Sequence, residues 1–371
     1  MNLLLVNYME TTKPGGINVV VREVGRGLAH KGHQVTVLQP NVSKRPREEL
    51  FGGFKIQRVD APFSGLLYGF DISVRALKER YRTLDPDIVH VHGYHSLFSP
   101  EVVYLIRQID PDVPLIFSYY LDVFRERLLA RWVWNAYKVV GRMMAPSLTR
   151  VISVSQFEAE TLEREFQVPA DLISIIPLGV QAIDERKTRS LKSGPRLLYV
   201  GYLLKRKNVQ SIVETLAVLV HEKRVEGASL TIIGEGPERT RIDRFIRERR
   251  VEAHVTMKPF QTPADLACEM KNADVFLLLS NSETYGLVVA EALALGTPCI
   301  VTNATALREF TREPGCFGVD YPPDPEVVAS CILNIYSSNV QVGPFSNKIR
   351  TWDMVSRAYE RVYSCCVKGV V

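Results

Sequence analysis

No apolar run in this 371-residue chain approaches the roughly 20 residues that a helix needs to cross a bilayer. The opening residues Met1-Asn2-Leu3-Leu4-Leu5-Val6-Asn7 are apolar but shorter than the hydrophobic stretch of a secretory signal. Cysteine is scarce: the six residues 268, 299, 316, 331, 365 and 366 show neither zinc-site spacing nor the framework of a small secreted domain. Reduced thiols in a cytoplasmic protein, at most peripheral on the inner face of a membrane, are the expectation. A large charge of one sign is also lacking. Lys and Arg number 46 against 41 Asp and Glu, a net +5, which over this length gives no argument for nucleic acid as a partner. The dinucleotide fingerprint Gly-x-Gly-x-x-Gly does not follow the first strand, Leu3 to Asn7. Lys13-Pro14-Gly15-Gly16-Ile17-Asn18 stands there, and the second strand, Gln34 to Leu38, ends in Gln39-Pro40 instead of an acid. That counts against a dehydrogenase. Gly15 and Gly16 instead let the backbone approach a phosphate or a sugar closely.

What is present is an ordinary globular composition, 46% apolar and 23% charged, in a chain whose length suits two domains. Strand-length apolar runs alternate with helical periodicity. They recur at Phe54 to Val59, Asp87 to Val91, Leu115 to Ser118, Val151 to Val154 and Leu172 to Ile176. Gln181 to Pro195 is polar and charged with Gly-Pro at its end, the composition of a linker. A second series begins at Arg196-Leu197-Leu198-Tyr199-Val200-Gly201. It continues through Leu230-Thr231-Ile232-Ile233-Gly234-Glu235-Gly236, Val255 to Lys258 and Cys316 to Val319. An amphipathic helix after Thr351-Trp352-Asp353 closes the chain. Two tandem α/β halves imply ligand sites at strand ends.

Several smaller features have a plain reading. Asp85-Pro86-Asp87 and Asp110-Pro111-Asp112 imitate metal-binding carboxylate pairs, but proline makes them turns. His90 and His92 share a strand face and read as a polar strand end lining a cleft. With His95 they lack a completing carboxylate or cysteine, so no metal site is expected. Residues 125–150 hold six basic side chains (Arg125, Arg127, Arg131, Lys138, Arg142, Arg150) against one acid, Glu126. Trp132, Trp134, Tyr137, Met143 and Met144 are interleaved. Such a helix suits an anionic membrane surface, as does the apolar stretch Phe63-Ser64-Gly65-Leu66-Leu67-Tyr68-Gly69-Phe70; solvated arginines over a core-facing aromatic side are the plain alternative.

The most informative stretch runs from Ser280 to Pro298. A strand, Asp274 to Leu279, leads into the loop Ser280-Asn281-Ser282-Glu283-Thr284 and then a helix of about three turns, apolar nearly all round. Glu283 in the loop and Glu291 in the helix break that pattern, and a buried carboxylate needs a partner. The first amides of the helix, around Tyr285, Gly286, Leu287 and Val288, lack intrahelical acceptors. A strand end, a helix start and two acceptor carboxylates form a seat for a phosphorylated, hydroxyl-rich ligand.

The ordered set of motifs resembles the retaining GT-B glycosyltransferases of family 4, the "glycosyl transferases group 1" type, over essentially the full length. It comprises Gly15-Gly16, Asp87-Ile88-Val89-His90-Val91-His92, Ile176-Pro177-Leu178-Gly179-Val180, Val200-Gly201 with Lys207-Asn208, Ile233-Gly234-Glu235-Gly236-Pro237, and Glu283-x7-Glu291 followed by Gly296-Thr297-Pro298. The resemblance implies an α/β protein of GT-B architecture, two Rossmann-like domains facing across a cleft. The expected division is an acceptor-side domain 1–182, a linker 183–195, a nucleotide-sugar-binding domain 196–350, and a C-terminal helix 351–371 packing back toward the first domain. It implies transfer from a UDP- or GDP-sugar donor, without metal or other cofactor, to a sugar, polysaccharide or lipid-linked acceptor. By likeness, Glu291 accepts from the ribose, Glu283 from the donor sugar, and Lys207 neutralises the departing diphosphate. Gly15, Gly16, Gly201, Gly234, Gly236 and the amides of Tyr285, Gly286, Leu287 and Val288 complete the donor site. Two positions depart from the pattern. Tyr202 follows Gly201 where the family has Arg, with Lys205 and Arg206 the nearest cations. Tyr120 stands where the family has a catalytic His, with Asp122 the nearest acid. These departures leave a second reading, a non-catalytic sugar-nucleotide-binding partner or scaffold.

Overall fold

The computed structural model describes residues 1–13, 15–41, 45–59, 74–94, 97–121, 128–181, 194–340, 342–343 and 349–369. Pro14, His95, Asp122, Arg125, Glu126, Arg127, the stretch Phe63 to Phe70 and nearly all of the linker lie outside them, as do the side chains of Arg131 and Trp132. The chain forms two compact units, Met1–Gly179 with Arg350–Val371, and Val180–Ile349.

The first unit is built on an eight-stranded sheet. Its strands are β1 (Asn2–Asn7), β2 (Gln34–Pro40), β3 (Glu48–Phe51), β4 (Phe54–Val59), β5 (Ile88–His92), β6 (Leu115–Ser118), β7 (Arg150–Ser153) and β8 (Ile173–Ile175). They lie in the order β3-β4-β2-β1-β5-β6-β7-β8. All pairings are parallel except β3 with β4. Parallel strands are covered on both faces, which is why they read as apolar runs. The β3 strand, part of a hairpin turned at Gly52-Gly53, has no such run and was not legible in the sequence.

Helices α1 (Gly16–His30), α2 (Val74–Leu84), α3 (Phe98–Ile109), α4 (Leu128–Met144) and α5 (Gln156–Phe166) belong to this unit. Leu4, Val6, Val89, Val91 and Phe117 form one core with Phe98, Val102, Met144 and Phe166 from α3, α4 and α5. Side chains alternate along a strand, so Asn7, His90, His92 and Ser118 point to the opposite face. The final helix of the chain, Trp352–Lys368, lies over that face, since the Tyr363 hydroxyl is 2.6 Å from His90 Nδ1.

The aromatic side of α4 is turned inward. Trp134 packs on Phe166 and its Nε1 donates to Glu165 at 3.3 Å; Tyr137 packs on Tyr94. These two rings are thus not offered to a membrane, because the core holds them. Among the described side chains of the helix, Val139 and Met143 are large, apolar and exposed.

The second unit has one parallel six-stranded sheet, reached through the short strand β9 (Gly179–Val180). Its strands are β10 (Arg196–Val200), β11 (Ser229–Ile233), β12 (Val255–Lys258), β13 (Val275–Leu278), β14 (Cys299–Thr302) and β15 (Cys316–Val319), in the order β12-β11-β10-β13-β14-β15. Its helices are α6 (Val209–Ala217), α7 (Arg239–Glu248), α8 (Pro263–Asn272), α9 (Leu287–Ala294) and α10 (Pro325–Ser337). The strand β16 (Arg350–Thr351) then leads into α11, the final helix. In each sheet the strand order reverses once, beside β1 in the first and beside β10 in the second. Open α/β sheets bind ligands at the carboxyl ends of strands at that switch point.

Candidate functional site

The carboxyl ends of β10 and β13 are neighbours at the second sheet's switch point. The loop after β10 is a short 3-10 turn, Lys205–Lys207, closed by Asn208 in the left-handed region at φ 54, and α6 starts directly after it. Lys207 therefore stands at the positive end of a helix, where a cation is unfavourable. It is offset by Glu283 from the loop after β13, whose Oε1 accepts a hydrogen bond from Lys207 Nζ. Both side chains are more than four-fifths buried. Burial by itself pushes the Glu283 carboxyl up, but Lys207 and Arg206, with the hydrogen bond from Lys207, hold it below the ordinary carboxylate value. Glu283 is accordingly an anion at neutral pH.

The loop that carries Glu283 is fastened on both sides. The Asn281 amide donates to the Arg206 carbonyl at 2.9 Å, and Arg206 Nη1 donates to the Ser282 carbonyl at 3.3 Å. On the other side the Glu283 amide donates to Thr305 Oγ1 at 2.9 Å. Arg206 and Thr305 thus position the site. The sequence offers Arg206 only as a cation near Tyr202 and gives no signal for Thr305, because its neighbour is set by β13 and β14 lying side by side.

Glu291 lies near the middle of α9, which has eight residues and is shorter than the three turns anticipated. Gly286, at φ 105, caps it, and Gly296 follows its last turn. Burial pushes the Glu291 carboxyl up to about 7. The amides of Leu287 and Val288, in the first turn, have no acceptor within the helix. Tyr285 is buried, its ring on Phe310.

On the neighbouring strand end the turn Gly234-Glu235-Gly236 is glycine for a steric reason. A Cβ on Gly234 would lie 1.9 Å from the Gly201 carbonyl oxygen, and one on Gly236 would lie 2.4 Å from that of Leu203. Both have φ in the positive range, 147 and 155. The turn therefore lies flat against the loop that leads to Lys207. Of the sequence-derived residues, Gly201, Lys207, Gly234, Gly236, Glu283, Tyr285, Gly286, Leu287, Val288 and Glu291 all sit along this carboxyl edge or in α9 behind it.

Gly15, Gly16 and Tyr120 belong to the first unit. Gly15 is the N-terminal cap of α1, and its carbonyl accepts the Val19 amide at 3.0 Å. Tyr120 is 6% exposed, and its hydroxyl lies 3.1 Å from His92 Nδ1. It adopts φ 55, a conformation that a bulky residue holds only when its surroundings impose it. Glu158 supplies part of that constraint. This buried carboxylate accepts the Leu121 amide and the Val154 amide, each at 2.9 Å, and the Ser153 hydroxyl at 3.1 Å. Ser155 in turn accepts the Glu158 amide at 3.1 Å. The Ser-x-x-Glu spacing of a capping box was the signal available for Glu158.

His90 and His92 do share a face, with ring centroids 3.9 Å apart, but they do not line a cleft. Both are fully buried, with Ser118 Oγ 3.0 Å from His90 Nε2 and Tyr363 on its other nitrogen. Burial lowers both, His92 to about 3, so they are neutral. The Asp-Pro-Asp carboxylates are taken up by backbone amides: Asp87 accepts the Asn2 amide of β1, and Asp110 accepts the Asp112 and Val113 amides of its own segment. Among the described residues there is no cluster of three or more His, Cys, Asp or Glu placed to hold a metal. No helix among them is long and apolar enough to cross a membrane.

Residues 14–182 match the family model described as Glycosyltransferase Family 4, and residues 180–339 match that of Glycosyl transferases group 1. The alpha-monoglucosyldiacylglycerol synthase of Acholeplasma laidlawii is 24% identical over 94% of this chain and 93% of its own length. The GDP-mannose-dependent alpha-(1-6)-phosphatidylinositol dimannoside mannosyltransferase of Mycobacterium tuberculosis is 26% identical over 91% and 88%. Among solved structures, sucrose-phosphate synthase from Thermosynechococcus elongatus aligns with TM-score 0.75 and 20% identity over 99% of this chain and 96% of that one. HepE of Anabaena with UDP and glucose aligns with TM-score 0.69 and 15% identity over 100% and 98%.

Proposed function

The chain belongs to the group 1 glycosyltransferases of GT-B fold, and on that premise we propose that it moves a sugar from a nucleoside-diphosphate donor to a membrane-lipid acceptor with retained anomeric configuration. The observation that carries the donor reading is the Lys207–Glu283 pair at the second sheet's switch point. Lys207 Nζ has three donors, so it can keep Glu283 and also serve a phosphate oxygen. In the reaction the bond between the anomeric carbon and the diphosphate oxygen breaks with its electron pair on that oxygen. Lys207 meets the growing charge there, a role usually worth on the order of 3 kcal/mol of transition-state stabilisation. A fixed cation in this place supplies what a metal ion otherwise would. The acceptor hydroxyl oxygen forms the new bond to the anomeric carbon, and its proton passes to the departing diphosphate oxygen.

Glu283 accepts from the donor-sugar hydroxyls and Glu291 from the ribose. The amides at the start of α9 and the close-lying turn Gly234–Gly236 receive the sugar and diphosphate. The relatives' names support UDP or GDP as the base-bearing part and a membrane lipid as acceptor. A cytoplasmic site of action at the inner face of a membrane accompanies such an acceptor, with Arg142, Val139 and Met143 of α4 as its exposed basic and apolar contribution.

The test is turnover with UDP-, GDP- and ADP-sugars against diacylglycerol- and phosphatidylinositol-based acceptors, with the anomeric configuration of the product read by NMR. Transfer with retention from one donor is the expected result. Binding of a nucleoside diphosphate without transfer across the panel would favour the scaffold reading, which the burial of Tyr120 against His92 supports. Absence of any nucleotide binding would overturn both.

A further inference from the structure

Tyr202 and Phe260 make an aromatic pair on the ligand edge of the second sheet. Tyr202 lies two residues beyond β10 and Phe260 two beyond β12, and β11 runs between those strands. Adjacent strands are about 4.8 Å apart, so β10 and β12 are separated by roughly twice that. The two rings nevertheless meet, centroids 4.8 Å apart at an interplanar angle of 68°. The intervening strand ends in Gly234-Glu235-Gly236, whose glycines lie against the Gly201 and Leu203 carbonyls on either side of Tyr202. The pair is not sealed into a core. Tyr202 remains 44% exposed, and Phe260 is partly exposed.

An aromatic edge with an open face, next to a glycine turn and continuous with the loop that carries Lys207, has the composition of a stacking platform. The ligand proposed above brings one planar aromatic ring, its nucleobase. We propose that Tyr202 and Phe260 form the subsite that stacks on the base of the donor nucleotide, so that binding is shifted from the diphosphate toward the base. Tyr202 stands where the sequence pattern anticipates an arginine, and a neutral ring there removes a phosphate cation while adding a π-face. Stacking on an aromatic side chain tolerates any base, because every base has a π-face. The inference rests on the donor reading and adds to it the residues that hold the base.

The experiment compares UDP, GDP and inorganic pyrophosphate binding by calorimetry for the wild-type chain, Tyr202→Ala, Tyr202→Phe and Phe260→Leu. Tyr202→Ala is expected to weaken UDP and GDP by about 5-fold to 100-fold, with pyrophosphate unchanged. Tyr202→Phe keeps wild-type affinity, and Phe260→Leu weakens the nucleotides in the same direction as Tyr202→Ala. Unchanged UDP and GDP affinity in Tyr202→Ala overturns the proposal and leaves the donor reading standing. An equal loss for pyrophosphate also overturns it, since the ring would then act on the phosphates or on the fold. A wild-type chain that binds neither nucleotide overturns the donor reading and this inference together.

Discussion

Lys207 and Glu283 are 76 residues apart in sequence and share a hydrogen-bonded ion pair at adjacent strand ends of one sheet. Each is the other's offset: the lysine faces the positive end of α6, and the carboxylate is largely removed from water. Truncating one partner therefore has two consequences that separate experimentally. Lys207→Ala is expected to lower kcat by about 10²-fold and also to destabilise the second unit by leaving Glu283 without its main cation. The double variant Lys207→Met/Glu283→Gln is expected to recover the urea midpoint and not the turnover. Recovery of both would show that the pair is structural only.

The carboxyl of Glu291 has an acid-base signature of its own. Burial raises it from 4.5 to about 7, so its ionised form is disfavoured in the folded chain. The stability it contributes is full below pH 4.5 and is lost as pH rises through about 7. At 1.36 kcal/mol per pKa unit the loss is about 3 kcal/mol at most. Glu291→Gln is expected to raise the denaturant midpoint of the second unit at pH 8 and to leave it nearly unchanged at pH 4.5. A ribose that donates hydrogen bonds prefers the anion, so nucleotide affinity should rise with pH from 6 to 8. Glu291→Gln should flatten that profile in calorimetry.

The imidazoles of His90 and His92 work in the opposite direction. Both are held below the ordinary value of 6.5, so the unfolded chain takes up protons that the folded one refuses. The first unit should lose stability as pH falls below 6.5, by up to about 1.4 kcal/mol per pH unit for each ring. The three Trp residues of the chain, Trp132, Trp134 and Trp352, all lie in the first unit, so their fluorescence reports that unit alone. Urea titrations at pH 7.5 and 5.5 check the slope, and His92→Gln should make it shallower.

At the turn beyond β11, Gly234→Ala places a methyl 1.9 Å from the Gly201 carbonyl oxygen in a backbone conformation of φ 147. A loss of more than about 2 kcal/mol is expected, read as a lower melting temperature or as insoluble product. Wild-type melting and donor binding in this variant would refute the close approach described for the turn.

Much of the fold is legible because its signals are local. Phe54–Val59, Leu115–Ser118, Val255–Lys258 and Cys316–Val319 are strands at the positions where apolar runs of strand length occur, since parallel strands covered on both faces cannot be polar for long. Glu283 and Glu291 stood out because they interrupt an apolar segment, and the glycines of Gly234-Glu235-Gly236 because they follow a strand. These are properties of ten or so consecutive residues, and the sequence by itself determined them.

Tertiary structure decided which of these pieces meet. Strand pairing brings together residues from distant parts of the chain, and nothing local encodes the register. Asn7 pairs with His92, His92 with Ser118, and Gln39 with Arg58. A row of buried polar side chains therefore crosses five strand ends of the first sheet, which the separate segments gave no reason to expect. The same holds for the inward turn of Trp134 and Tyr137, for Thr305 beneath Glu283, and for Tyr202 reaching Phe260 across a strand that ends in glycine. Periodicity fixes which face of an element is apolar. Only the packed sheet fixes what that face, and each strand end, is set against.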